Sequence, residues 1–440
     1  MKKLHLISLG CSKNLVDSEK ILYAFSKEGW DLTDEPAEAD VIVVNTCGFI
    51  EAAKQEAIDT LLEMAQQKKP GALLVATGCL AQRYSQELYD QMEEIDLVVG
   101  IDQCERIVRY AKDFTTRAVY RNEPLRAYES GRRVHTGAPH YAYVRIADGC
   151  NNFCSYCAIP LIRGRYRSRE TEDILSEIRD LAAQGVREII LVAQDTTRYG
   201  SDTKRGDLAE LLRAAAHVEG VEWVRFLYAY PEMLTDEMIA AMVEEEHVCK
   251  YVDIPLQHCN DRILKKMNRH VTRAQIEALL EKLAAQPVRI AVRTTLMTGF
   301  PTETLEEHEE LLDFMRKWRF DRLGAFAFCP EEGTAAEKMD GQIDEDEKQR
   351  RLDEIMALQQ EISLSNNIAR AKTGGEETVV VDSFDRNEGV IYTRSQYEVP
   401  EVDGSILLPL APEDPDPIVG MTLTARLTDA MAYDLIGELE

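Results

Sequence analysis

A chain of 440 residues that is 45% hydrophobic can bury several cores, which excludes a disordered tail or a small disulfide-stapled scaffold. Its formal charge of −27 argues against a surface that tracks phosphate backbones and favours cationic partners. The opening MKKLHLISLGCSKN is too short in its apolar run for a signal peptide, and no stretch approaches a membrane span. The expected compartment is therefore the cytoplasm, where the ten cysteines are better read as metal ligands or reactive groups than as disulfides.

Residues 1 to about 102 alternate short apolar runs (LHLISLG, DVIVVNT, GALLVAT, IDLVVG) with helical stretches such as DSEKILYAFSKEG. That alternation predicts a doubly wound parallel α/β domain, placed at 1–112. Residues 103 to about 135, basic in places (RAVYRNEPLRAYESGRR), read as a linker. From 141 the alternation resumes with YAYVRI, EIILVAQD, WVRFLYAY, YVDIPLQH, RIAVRTTLMTGF and RLGAFAF as strands. Six βα units predict an incomplete (β/α)6 barrel within 136–366. A helix around 345–370 then leads to short β-branched runs (TVVVDSF, GVIYTRS, SILLPLA, MTLTARLTDA), which predict a small antiparallel β-barrel at 369–440.

The stretch DGCNNFCSYCAIP carries Cys150, Cys154 and Cys157 in C-x3-C-x2-C spacing, just after the strand YAYVRI. Structural zinc sites usually close four positions with paired C-x2-C arms, and no second pair follows. A four-iron cluster on three thiolates leaves one iron open to chelate a small molecule. A zinc knuckle is the plainer alternative. Cys11, Cys47 and Cys79 each directly follow an apolar strand, and in a parallel sheet three such ends share the ligand-binding edge. They therefore suggest a second three-thiolate cluster, with three buried core cysteines as the alternative. Cys104, Cys249 and Cys329 read as core thiols. No G-x-G-x-x-G or P-loop pattern supports dinucleotide binding or nucleotide hydrolysis.

The C-x3-C-x2-C motif followed by six βα units resembles the radical S-adenosylmethionine (SAM) superfamily. With a second cysteine set and a terminal β-barrel, the whole chain resembles the methylthiotransferases. SLGCSKNLVDSEKIL, NTCGFIEAAKQEAIDTLLE, LVAQDTTRYG, DIPLQHCNDRILKKMNR and RTTLMTGFPTET are most similar to the branch that acts on ribosomal protein S12. Ser12 and Cys259 depart from that branch's usual residues without touching a proposed ligand. The resemblance implies two [4Fe–4S] clusters, SAM, a reducing electron donor and a sulfur source. It also implies conversion of C–H to C–SCH3 at the β-carbon of an aspartate in S12, free or on the small subunit, and a TRAM-like terminal barrel. The same chemistry on tRNA adenosines is the alternative.

Gln194, Asp195, Gln257 and His258 stand at predicted strand ends on one edge, where they can hydrogen-bond the cofactor, and Arg293 can pair with its carboxylate. Each has a packing role as an ordinary alternative. GFPTET at 299–304 reads as a turn with helix-capping chemistry facing adenine. From Glu376 to Glu440 there are three basic and fifteen acidic residues. Nucleic acid is therefore not expected as substrate, and acids such as Glu398, Glu401 and Asp403 are expected to face a basic protein.

Overall fold

The computed structural model describes residues 2–122 and 132–439. Of the basic stretch read as a linker, residues 123–131 lie outside the described residues. Among the described residues no helix is long and apolar enough to cross a membrane.

The first sheet is wholly parallel, in the order Asp31–Leu32, Lys3–Ser8, Val41–Thr46, Leu73–Gly78, Leu97–Val99, Ala118–Tyr120. Alternation along Val41–Thr46 sends Val41 and Val43 to one face and Ile42 and Val44 to the other. Ile21, Leu22 and Phe25 of the helix Ser12–Lys27 cover the first face; Ala57, Leu61 and Met64 of Glu51–Gln67 cover the second. Burial on both sides is why the strand reads as an unbroken apolar run. The linker reading needs correction. Ile107–Lys112 is helical, Cys104, Ile107 and Val108 join the core, and Ala118–Tyr120 completes the sheet. A three-residue strand is too short to show a period, and it exists through its pairing with Leu97–Val99.

The central six strands form two parallel triplets. Tyr141–Arg145, Glu188–Val192 and Trp223–Phe226 make one; Tyr251–Gln257, Ala291–Thr298 and Arg322–Ala327 make the other. They meet through a bridge at Val224 and Val248 and the bond from Ala229 N–H to Asp253 O, 2.8 Å. Ala142 and Val144 face the surrounding helices, while Tyr141 and Tyr143 face the lumen. Val16 of the first domain and Val399 of the third pack in that same lumen cluster.

The helix Glu345–Lys372 leads into a closed five-stranded barrel of Glu376–Asp385, Val390–Ser395, Ile406–Pro409, Leu435–Leu439 and Thr422–Ala430. It is antiparallel except that Ile406–Pro409 and Leu435–Leu439 run parallel. Its segment 394–403 closes the N-terminal end of the central barrel. Arg394 pairs with Glu188 (2.5 Å), Arg322 with Glu398 (3.1 Å), and the hydroxyls of Tyr141 and Tyr251 donate to Glu401 (2.7 Å) and Asp403 (2.8 Å). Glu398 and Asp403 are thus not surface acids. Their side chains are 1% and 3% exposed, because a carboxylate leaves water readily when arginines of a neighbouring domain await it. Cys104 and Cys249 are buried as expected, whereas Cys329 is exposed.

Candidate functional site

Gly149, at φ +79°, turns the chain out of Ala147–Asp148 into the cysteine loop; a Cβ there would lie 2.2 Å from the Arg165 carbonyl oxygen, so no larger residue fits. The loop is then pinned from several sides. Cys150 N–H donates to Gly164 O (3.1 Å), Ser155 N–H to Met267 O (2.9 Å), and Asn152 Nδ2 to Asp195 Oδ2 (2.8 Å). Cys150 and Cys154 are buried and Cys157 half-buried. Burial pushes the Cys150 thiol up to about 11 and raises Cys157 as well, and each feels the charge of Cys154. The Tyr230 hydroxyl stands 3.8 Å from Cys154 Sγ.

In the first sheet the strands ending at Ser8, Thr46 and Gly78 are neighbours, so Cys11, Cys47 and Cys79 emerge side by side. A Cβ on Gly10 would lie 3.1 Å from Cys47 Sγ. Burial takes the Cys79 thiol up to about 11, and both Cys11 and Cys47 act on it electrostatically. At Cys11 burial is outweighed by the charges of Lys13 and Arg163, and the thiol falls below its ordinary value. Among the described residues no three His, Cys, Asp or Glu groups are placed to hold a single metal ion. A four-iron cube asks for a wider spread, since each thiolate binds a different iron.

The two cysteine sets adjoin. Cys79 packs against Ala158 and Ile162, immediately after Cys157. Arg163, buried at the end of the helix Ile159–Arg163, donates through Nη2 to Asn14 Oδ1 (2.9 Å) and lies 3.6 Å from Cys79 Sγ and 3.2 Å from Asp17. Its Nη1 meets Asp148 Oδ1 at 3.1 Å. On the far side, Glu331, after the last barrel strand, pairs with Arg83 (3.1 Å) and Lys54 (3.2 Å) of the first domain.

The expected cofactor residues divide. Both amide atoms of Gln194 and Oε1 of Gln257 are buried at the edge without hydrogen-bond partners, as is Oε2 of Glu232, whereas Nε2 of His258 faces the Glu303 carboxylate. Orphaned polar atoms of this kind fit a polar ligand. Asp195 is committed to Asn152, Thr197 (2.7 Å) and Arg198 (3.0 Å), so it holds the cysteine loop in place. Arg293 lies near the start of its strand, pairs with Asp253 at 2.8 Å and approaches Asp403 at 3.8 Å; it does not join the edge cluster. In GFPTET the working residue is Glu303, whose carboxylate accepts from the amides of Gly299 and Phe300 (3.1 Å for Phe300) and stands 3.6 Å from His258 Nε2. Lys13, Arg163, Tyr230 and Glu232 were not anticipated. The run IRGRYRSR, with arginines at 163, 165, 167 and 169 just beyond the cysteines, is the signal that could have pointed to Arg163.

Three family models match: uncharacterized protein family UPF0004 over residues 3–100, the radical SAM superfamily over 144–315 and a TRAM domain over 373–439. Among curated relatives, the chain is 44% identical to a protein of Clostridium botulinum (strain Eklund 17B / Type B) over 100% of this chain and 98% of the relative. It is 41% identical to one from Thermoanaerobacter sp. (strain X514) over all of both chains, and 44% identical to one from Desulforamulus reducens, likewise over all of both. Each of these relatives is named ribosomal protein uS12 methylthiotransferase RimO. The solved structure of the radical SAM methyltransferase TsrM from Kitasatospora setae, with tryptophan substrate and a SAM analogue bound, shares the fold at TM-score 0.53. Identity is 14%, over 74% of this chain and 73% of that one.

Proposed function

The chain belongs to the ribosomal protein uS12 methylthiotransferases, and from that premise we propose how its residues divide the work. It is a radical SAM enzyme and a transferase. Its substrate is ribosomal protein S12, and in this reading the methylthio group goes to the β-carbon of one S12 aspartate. Cys150, Cys154 and Cys157 hold the [4Fe–4S] cluster that binds SAM, and Cys11, Cys47 and Cys79 hold a second cluster that serves sulfur transfer. A cluster held there would, with SAM and an electron donor, supply the radical chemistry that opens the C–H bond.

The observation that carries this reading is the adjacency of the two cysteine sets. Cys79 touches the helix that begins just past Cys157, and Arg163 reaches from that helix to Cys79 at 3.6 Å. A C–H bond activated on one side can receive sulfur from the other only if both face one small space. The chain's residues bind and orient. Gln194 and Gln257 offer amide groups to the polar parts of SAM, His258 braces Glu303 and the Asn260 amide beside them, and Asp195 through Asn152 keeps the cysteine loop in register. Exposed acids of the terminal barrel, among them Glu376, Glu388, Glu413, Asp414 and Asp429, speed encounter with a basic protein.

The test uses anaerobically purified protein. Iron and sulfide consistent with two clusters, and a methylthio group on S12 detected by mass spectrometry, are the expected results. Zinc without sulfide would end the radical assignment, and a methylthiolated tRNA nucleoside in place of modified S12 would move the substrate to nucleic acid. Neutralising the exposed acids should slow S12 modification most at low salt, since the screening length is about 8 Å at physiological ionic strength.

A further inference from the structure

Lys13 is out of place by ordinary rules. It is the second residue of the helix Ser12–Lys27, where the helix dipole repels a cation, and it is only 7% exposed. A buried ammonium needs a counter-charge. Its neighbours are the ring of Tyr228, whose centroid lies 3.6 Å from Nζ, and the Cys11 thiol two residues back, which the ammonium holds below its ordinary value. The carboxylates at hand are engaged elsewhere. Asp17, one turn along the helix, is taken by Arg145 (2.6 Å) and Arg163 (3.2 Å), and Asp253 by Arg293 (2.8 Å) and the Tyr228 amide (3.0 Å). Among the described residues none forms an ion pair with Lys13.

Its location gives the cation a use. Lys13 follows Cys11 by two residues, and Tyr228 precedes by two the Tyr230 whose hydroxyl is 3.8 Å from Cys154 Sγ. The ammonium therefore lies beside Cys11 and against the segment that leads to Tyr230. We propose that Lys13 is the binding residue for the carboxylate of the substrate aspartate. In aspartate the carboxyl carbon is bonded directly to the β-carbon that reacts, so a cation that grips the carboxylate fixes the reacting atom within one bond length. The same cation discriminates against asparagine and against uncharged nucleobases, because neither supplies a carboxylate to it. The inference rests on S12 as substrate.

The experiment is a double-mutant cycle on the holoenzyme, measured as equilibrium binding of labelled S12 under anaerobic conditions. Wild type, Lys13→Gln and Lys13→Arg are each titrated with S12 and with an S12 variant carrying asparagine in place of the modified aspartate. Wild type should bind the asparagine form about tenfold or more weakly, as expected on removing one member of a desolvated charge pair. Lys13→Gln should bind both forms alike and weakly, and Lys13→Arg should recover most of the preference. Iron and sulfide content, measured on each variant, should match wild type. A Lys13→Gln enzyme that keeps the wild-type preference for aspartate overturns the assignment. So does loss of iron in both variants, which would make Lys13 a support of the Cys11 site instead. Failure of wild type to bind or modify S12 is a separate result, and it removes the substrate reading itself.

Discussion

Cys150, Cys154 and Cys157 lie within one loop of the chain, whereas Cys11, Cys47 and Cys79 come from the ends of three neighbouring strands. The first set is gathered by local turns and a few hydrogen bonds to the barrel rim. The second is gathered only when the first sheet has folded with its strands in the right order. Both routes end at the same small space, joined by Arg163. The lesson is that one cysteine set is a property of a segment and the other of a domain, so damage to the second should spare what the first does, whereas damage to the first should stop both.

The bluntest way to break that comparison is to empty one set at a time. Replacing Cys150, Cys154 and Cys157 with alanine should abolish 5′-deoxyadenosine formation and product together, while about half the iron remains on the first domain. Chromatography of the reaction and iron analysis check this, and surviving 5′-deoxyadenosine would defeat the assignment. Replacing Cys11, Cys47 and Cys79 should leave reductive SAM cleavage measurable and methylthio transfer absent. Persistent methylthiolated S12 in that variant would deny the second set its role as the sulfur site.

The next effect in size tests the joint. Arg163→Ala leaves Asp17 to Arg145 and Asp148 to Arg167, and the apo-protein, having lost the hydrogen bonds that link the two carboxylates, should lose about 2–3 kcal/mol in denaturant unfolding. A loss under about 1 kcal/mol would mean that the pairing with Asp148 and Asp17 does not hold the two domains together.

The smallest and sharpest contrast uses two glycines, each just before a cysteine. Gly78 (φ +93°, ψ −159°) sits in a backbone region open essentially to glycine alone, and a Cβ there would meet the Thr46 carbonyl oxygen at 2.4 Å. Gly78→Ala and Gly149→Ala should each cost about 1–3 kcal/mol. Gly78→Ala should lower iron only on the first domain and spare SAM cleavage, and Gly149→Ala should do the reverse. Loss of SAM cleavage in Gly78→Ala as deep as in Gly149→Ala would contradict the separation of the sites.

Much of this was legible in the chain because it depends on local pattern. The six central strands read directly from apolar runs, and Cys11, Cys47 and Cys79 declared themselves by following strands of a parallel sheet, whose ends must share an edge. The short strand Ala118–Tyr120 was not legible, being too brief to carry a period. Nor were the roles that depend on what lies opposite. Asp195 looks like a cofactor ligand until Asn152 and Arg198 are seen to occupy it, and Arg293 until Asp253 does. Glu398 and Asp403 counted as surface acidity because composition cannot see that Arg322, Arg370 and Tyr251 wait for them from other parts of the molecule.

The segment 394–403 has a consequence for anyone who would re-address this enzyme by grafting a foreign terminal domain. Val399 and the paired side chains around it form the floor of the central barrel. A chimaera cut at the start of the terminal barrel would strand Glu188, Arg225 and Tyr251 against a void, with two arginine-binding carboxylates gone. A workable graft has to carry this stopper over unchanged and vary only the loops and strand faces on the outer side. The part of the domain free to diverge toward a new target is therefore smaller than its length suggests.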